Sequence, residues 1–297
     1  MAAAGTIRVG VSGWVYPGWR KAFYPAGLAQ PRELAYMAEH LTSIEINGTF
    51  YSLQRPESFA RWAAETPDGF QFAVKAPRFI THILRLKDME KPLANFVASG
   101  LLRLGPKLGP ILWQFPPSLR FDAERFEHFF SLLPHDTEAA AALARQHDGK
   151  VAGRAAVETD AKRPFRHAVE TRHESFAVPD FVRLLRRYGV ALVCTDSVEW
   201  PHLRDVTADF VYCRLHGSEE LYASGYDDAA LDQWAARVVA WSKGKEPADV
   251  KRLLDALPPK RARRDVYVYF DNDRKALAPY NAQALIARVG RPAQLRS

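Results

Sequence analysis

The feature that most narrows what this chain can fold into is a regular alternation of short β-rich runs with amphipathic helical stretches. Eight β-rich runs occupy residues 7–12, 43–47, 70–75, 111–115, 167–172, 190–196, 209–216 and 265–271. Helical periodicity fills 31–41, 56–65, 87–104, 122–133, 179–188, 228–241 and 278–289. In the third of these, Leu93, Phe96, Val97, Leu101 and Leu104 recur at helical spacing. Pro31, Pro56 and Pro179 fall in the first turn of their helices, where the missing N–H costs nothing. Alternation of this kind forces parallel strands joined by right-handed crossovers, and eight such units close on themselves. The expectation is therefore an α/β fold, a (β/α)8 TIM barrel forming a single domain over residues 1–297. Such barrels take about 250 residues before insertions. A doubly wound open sheet is the rival, but the first strand runs into Ser12-Gly13-Trp14 rather than a glycine-rich phosphate loop. Two segments exceed the minimum: 134–164, read as an extra helix plus a loop before the fifth strand, and 243–264 before the eighth, read as holding a short helix around 250–257.

Composition removes several classes. With 47% apolar and 25% charged residues the chain matches ordinary globular usage. No stretch reaches the roughly 18 uninterrupted apolar residues of a membrane span, and the first residues lack the pattern of a secretion leader. A cytoplasmic protein without a membrane partner is expected. Cys194 and Cys213 each sit in a β-patterned apolar run, as small hydrophobes rather than as a disulfide. The net charge of +7 favours acidic partners, but much of it lies in the run from Lys260 to Arg264, the kind of segment that usually faces solvent.

Strand parity locates a candidate site. Successive strand residues face opposite ways, so one parity enters the barrel and the other packs under the helices. Ile44 and Ile46 suit the helices and leave Glu45 and Asn47 inward; Phe70, Phe72 and Val74 do the same and leave Lys75 inward. Near the ends of their strands, Ser12, Gln114, Glu170, Arg172, Asp196, Arg214, His216 and Asp271 are assigned to the same side. Charged side chains are rarely buried without partners, and barrel active sites lie at the carboxyl ends of the strands. Aromatic residues crowd the first two strand-to-helix loops: Trp14, Tyr16, Trp19, Phe23 and Tyr24, then Phe50 and Tyr51. Trp14 and Tyr51, nearest the strand ends, are the candidates for stacking on a ligand, while Phe23 and Tyr24 suit a plug that holds the loop down.

Taken in order, Ser12-Gly13-Trp14, the run Glu45 to Tyr51, Phe72 to Lys75 with Thr81-His82, Gln114 to Pro117, Glu170 to His173, Arg214 to Gly217 and Phe270-Asp271-Asn272 resemble the YecE-like family, known as domain of unknown function 72. The resemblance covers nearly the whole chain. It implies a TIM-barrel fold without naming a reaction. The family pattern tends to have tryptophan where this chain has Phe176, and often asparagine where it has Asp271.

The leading expectation is an enzyme doing acid/base chemistry on a small polar or anionic substrate bearing phosphate, carboxylate or sugar hydroxyls. Lys75, Glu45 and Glu170 are the candidate catalytic residues, with a salt bridge from Lys75 to Glu45 or Glu170 as the plainer reading. Arg172 and Arg214 are read as an anion clamp. Ser12, Trp14, Asn47, Tyr51, Gln114, His173, Asp196, His216, Asp271 and Asn272 complete the candidate binding residues. No cofactor is expected. An alternative, metal-dependent hydrolysis or isomerisation, has donors in His82, His173, His216, Glu45, Glu170, Asp196 and Asp271, but Lys75, Arg172 and Arg214 would repel a divalent cation. A second alternative is a nucleic-acid-binding barrel whose aromatic loops stack on bases.

Overall fold

A computed structural model of the chain describes residues 4–217 and 219–295. In chain order the elements are β1 (Ile7–Ser12), α1 (Glu33–His40), β2 (Ser43–Ile46), α2 (Gly48–Tyr51), α3 (Pro56–Ala64), β3 (Gln71–Lys75), α4 (Glu90–Ala98), β4 (Leu108–Gln114), α5 (Ala123–Leu132), α6 (Thr137–Ala144), β5 (His167–Glu170), α7 (Pro179–Tyr188), β6 (Ala191–Asp196), β7 (Phe210–Leu215), α8 (Asp228–Ser242), β8 (Asp265–Phe270) and α9 (Leu277–Val289). All eight strands pair in parallel with their sequence neighbours, and β8 pairs with β1 to close the ring. This is the expected (β/α)8 TIM barrel, with one economy: β6 crosses to β7 through residues 197–209 without a helix.

Two apolar layers follow from strand parity. Val9, Val11, Ile44, Ile46, Phe72, Val74, Ile111 and Trp113 point outward and pack under the helices. Ala73, Leu112, Ala168, Ala191, Val193, Phe210, Tyr212, Tyr267 and Tyr269 fill the interior. Beside β1 the backbones leave no room for a side chain: a Cβ on Gly10 would come within 1.9 Å of the Ser43 carbonyl oxygen. Two of the interior tyrosines find partners there: the Tyr269 and Ser43 hydroxyls lie 2.7 Å apart, and Tyr267 donates to Gln71 Oε1 at 2.7 Å. Aromatic rings thus fill the lower and middle layers of the barrel interior, and the polar side chains gather above them at the carboxyl ends of the strands.

Two helical expectations are corrected. The stretch 87–104 is not one helix: α4 ends before Gly100, whose φ of +125° and 2.6 Å approach of a would-be Cβ to Pro56 Cα admit only glycine, and a 3-10 segment, Leu101–Lys107, follows. The helix expected around 250–257 is absent. The Asp205 carboxylate accepts the N–H groups of Leu253 (2.8 Å) and Leu254 (3.1 Å), and Arg186 donates to the carbonyls of Ala256 and Leu257. Side chains distant in sequence thus satisfy the backbone of this segment in a non-helical path. The extra helix in 134–164 is α6, capped by Asp136 accepting from Ala139 N at 2.8 Å.

Candidate functional site

Arg214, at the end of β7, is the hub of the strand-end layer. Fully buried, it donates from Nε and Nη2 to Glu45 (3.1 and 2.9 Å), from Nη1 to Glu170 (2.6 Å), and from Nη2 to Asp271 (2.8 Å) and to Ser12 Oγ (3.1 Å). Strands β1, β2 and β5 and the residue just after β8 send those acceptors inward, so one guanidinium ties together side chains far apart in sequence. Glu45 is saturated by two further donors, Ser12 Oγ at 2.8 Å and Tyr212 Oη at 2.6 Å. Burial and Glu45 push the Tyr212 hydroxyl well above its usual range, which keeps it a neutral donor.

Glu170 is equally committed. Arg172 returns to it from Nε and Nη2 at 3.1 and 3.0 Å, and the Arg172 guanidinium stacks 3.7 Å over the Trp200 ring. Burial alone would raise the Glu170 carboxyl, but Arg214 and Arg172 overcome that and hold it well below the usual range. Asp271 behaves alike: burial opposes its charge, while Arg214, His216 and Lys75 hold it down. His216 lies between the two acids, Nδ1 3.0 Å from Asp271 and Nε2 3.4 Å from Glu170, and its ring is wedged against Trp200 and Tyr222. The acid that stands where the family pattern often has asparagine is therefore compensated by Arg214.

These contacts redistribute the expected roles. Glu45 and Glu170 are anchored carboxylates, and Arg172 and Arg214 are consumed by them rather than free to clamp an anion. Lys75 makes no salt bridge: among the described residues no carboxylate oxygen lies within 4.0 Å of its Nζ, because Arg214 holds both glutamates. Its ammonium rests 4.4 Å from the centre of the Phe50 ring. Thr49 fixes the strand end below it, donating to the Ile46 and Lys75 carbonyls. Burial first, then Arg214, lower the Lys75 pKa to about 8.

Above this layer opens a cavity of about 650 Å³, walled by Trp14, Val15, Tyr16, Asn47, Tyr51, Gln54, Trp62, Lys75, Tyr222, Asp271, Asp273 and Arg274 among others. That volume suits a small molecule. Trp14 stands edge-on to Trp62 at 5.4 Å, Tyr51 is 72% exposed, and Asn47 Oδ1 is buried without a hydrogen-bond partner. Of the residues singled out from sequence, Trp14, Asn47, Tyr51, Lys75 and Asp271 face the cavity. Ser12, Glu45, Glu170, Arg214 and His216 form the charged floor beside it, Arg172 joins them through Glu170, and Gln114 is buried on β4 beside Glu170.

Three others lie elsewhere. Asp196 is on the outer parity of β6, where Thr195 pairs with Arg214; its carboxylate meets Trp234 Nε1 of α8 at 3.3 Å and Arg204 at 3.9 Å. His173 closes a turn, with Nδ1 accepting from Ser175 N at 3.0 Å. Asn272 faces away from the barrel axis and donates to the Ser224 carbonyl and Asn281 Oδ1, both at 3.0 Å, so it pins the loop after β7 to α9. Among the described residues, no three His, Cys, Asp or Glu side chains are gathered as a metal ion would require.

Asp273 was not among the candidates. Burial and then the neighbouring Asp271 raise its carboxyl to about 6. Its turn is held from the loop after the neighbouring strand β1 by Trp19 Nε1, which donates to the Asp273 carbonyl at 3.2 Å. A sequence signal was present only in its position, two residues beyond Asp271 at the same strand end, because the chain already turns there and strand alternation has ended. Trp62 and Tyr222 had no such signal, because a helix and a loop bring them in.

A family model described as Protein of unknown function DUF72 matches residues 8–296. The UPF0759 protein YecE of Escherichia coli K12 is 32% identical over 127 residues, which span 38% of this chain and 44% of YecE. The UPF0759 protein YunF of Bacillus subtilis is 32% identical over 116 residues, 37% of this chain and 40% of YunF. The aligned part is thus less than half of either relative. A crystal structure of a DUF72 family protein from Thermotoga maritima superposes with a TM-score of 0.70 at 25% identity, covering 95% of this chain and 98% of that one. One from Enterococcus faecalis gives 0.68 at 16% identity, covering 97% and 96%, and speaks to the fold alone. No helix among the described residues is long and apolar enough to cross a membrane.

Proposed function

This chain belongs to the DUF72 family, and from its strand-end geometry we propose that it is an enzyme moving protons on a small polar substrate, with Asp273 as general base and the Lys75 ammonium as general acid. The carrying observation is that Lys75 reaches the cavity without a carboxylate partner while every buried glutamate beside it is bound by arginine. Two groups on one cavity have pKa values moved toward neutrality from opposite sides, Asp273 up to about 6 and Lys75 down to about 8. Between those values the aspartate is ionised and the lysine protonated, the states that a base and its partnering acid need. Substrate hydroxyl and carbonyl groups find Asn47, Gln54 and Asp271, and sugar-like faces find Trp14 and Tyr51.

The reaction that fits is abstraction of a proton next to a carbonyl by Asp273, with the Lys75 ammonium stabilising the oxyanion that develops. No cofactor enters this reading. The metal alternative is disfavoured because Arg214 occupies the point where Glu45, Glu170 and Asp271 converge. The nucleic-acid alternative loses its basic run, since Arg261 and Arg263 line a hollow with Arg166 and Thr6 at the opposite end of the barrel. The test is exchange of carbon-bound protons in deuterated buffer, followed by proton NMR over hydroxyaldehydes, hydroxyketones, sugars and their phosphates. Exchange that is lost in Asp273→Asn and Lys75→Met supports the reading; exchange that survives both substitutions refutes it.

A further inference from the structure

A second cavity of about 630 Å³ adjoins the first. Phe50, Tyr51, Leu53, Phe79, Ile80 and Ile83 give it an apolar wall, and Arg78, Lys150 and Arg154 lie around it. Tyr51 belongs to both cavities, and Arg154 Nη1 reaches the carbonyl of Gln54, a residue of the first, at 3.5 Å. The two hollows therefore meet at the exposed Tyr51.

Three observations bear on what the second hollow can hold. Among the described residues seven large apolar side chains are exposed, and four of them, Val15, Tyr51, Phe79 and Ile83, border these two cavities. Clustered exposed apolar surface marks contact sites, whereas scattered single residues do not. The π-helical turn Phe79–Ile83 divides its side chains, with Phe79 and Ile83 on the outer hollow and His82 against Phe50, 5.1 Å between ring centres. Such turns recur at functional sites. The charges are unbalanced: the one acid in the lining, Asp148, is spent on Lys150 N at 2.8 Å, and Lys150 Nζ sits 5.0 Å from the centre of the Phe79 ring.

We propose that this hollow holds the far end of an elongated substrate, an aromatic or aliphatic segment ending in an anionic group, phosphate, sulfate or carboxylate, whose reacting end lies beside Lys75 and Asp273. The inference rests on the reading of the strand-end cavity as the reaction site. It assigns anion recognition to Arg78, Lys150 and Arg154, in place of Arg172 and Arg214, which their carboxylates occupy. A rigid apolar body fits between Tyr51 and Phe79, and the basic groups meet its terminal charge.

The experiment uses 1-naphthyl phosphate, followed by its own fluorescence, against uncharged 1-methoxynaphthalene on the full chain. The wild-type protein is expected to bind the phosphate at least tenfold more tightly than the neutral ring. Lys150→Ala/Arg154→Ala should abolish that preference, and Ile83→Asp, at an exposed position, should weaken both ligands, with circular dichroism confirming the fold of each. Arg263→Ala, which removes a basic group at the opposite end of the barrel, should leave both affinities unchanged. Equal affinity for the two probes, or a preference that survives removal of the two basic groups, overturns the proposal. A preference lost in Lys75→Met instead would place the anion in the strand-end cavity and overturn it as well. Because none of these readings needs catalysis, failure of proton exchange and failure of the outer hollow are told apart.

Discussion

Replacing Arg214 by methionine should destabilise the protein more than any change on its surface, and in a pH-dependent way. The guanidinium makes five N–H···O contacts of 2.6 to 3.1 Å, four of them to Glu45, Glu170 and Asp271. Methionine fills a similar length but leaves these acids facing one another, with both glutamates fully buried. Breaking a buried ion pair from one side costs about 3–5 kcal/mol, a large part of the roughly 5–15 kcal/mol that holds a typical domain together. In the wild-type protein the depressed Glu170 and Asp271 values stabilise the fold above the ordinary carboxyl range, and that contribution is lost as pH falls toward their folded values. In the variant the sign reverses. Its orphaned acids bind protons more readily folded than unfolded, so the variant regains stability as pH falls, by about 1.4 kcal/mol per pH unit while one proton is taken up. Urea unfolding followed by the fluorescence of the seven tryptophans, at pH 7.5 and pH 5, measures both effects. A penalty under about 1 kcal/mol at pH 7.5, or one identical at the two pH values, would refute Arg214 as the charge-compensating hub.

Lys75→Met should stabilise the protein at pH 7 by up to about 3 kcal/mol, because the wild-type fold holds an ammonium at a cost; the folded value near 8 lies below the unfolded one, so the gain shrinks above pH 8 and is gone near pH 10.5, as thermal or urea unfolding across that range would show. Proton exchange on a responsive substrate should follow a bell with limbs near pH 6 and pH 8, the acidic limb governed by Asp273 and the alkaline limb by Lys75, read from initial rates of deuterium uptake. Gly10→Ala should prevent folding, since its Cβ would meet the Ser43 carbonyl oxygen at 1.9 Å, and soluble yield with circular dichroism checks it. Asp205→Ala removes the carboxylate that caps Leu253 and Leu254 and should open 243–264 to limited proteolysis at a cost of about 2 kcal/mol, with the rest of the barrel intact.

Barrel and parity were legible because both follow from local alternation. Ile44, Phe72 and Val74 advertise the helix side of their strands, so Glu45 and Lys75 could be placed inward without a structure. Asp196 shows where that logic slips. Strand β6 is apolar on both parities, Ala191 and Val193 inside against Leu192 and Cys194 outside, so its pattern does not say which face its last residue takes. Partner choice was illegible for a different reason. Lys75, Arg172 and Arg214 all face Glu45 or Glu170 in a list of inward charges, and only the distances show that Arg214 and Arg172 take the glutamates and leave Lys75 to the cavity. The segment around 250–257 is non-helical and is held by Asp205 and Arg186, whose contacts from distant positions no local pattern announces. The outer hollow had no signal at all: α2, the turn at 79–83 and the segment at 148–154 meet only in three dimensions.

Acid/base chemistry at the mouth of the barrel requires Lys75 to titrate near neutrality, and its titration is the most direct test. Carbon-13 NMR of protein labelled at lysine Cε, with the Lys75 resonance assigned by its disappearance in Lys75→Met, reports that value without knowledge of a substrate. A resonance titrating near pH 8, well below the other lysines, is the predicted result. A resonance titrating with the bulk lysines near pH 10.5 would mean that Lys75 is an ordinary solvated cation, and the acid/base reading of the cavity would fall.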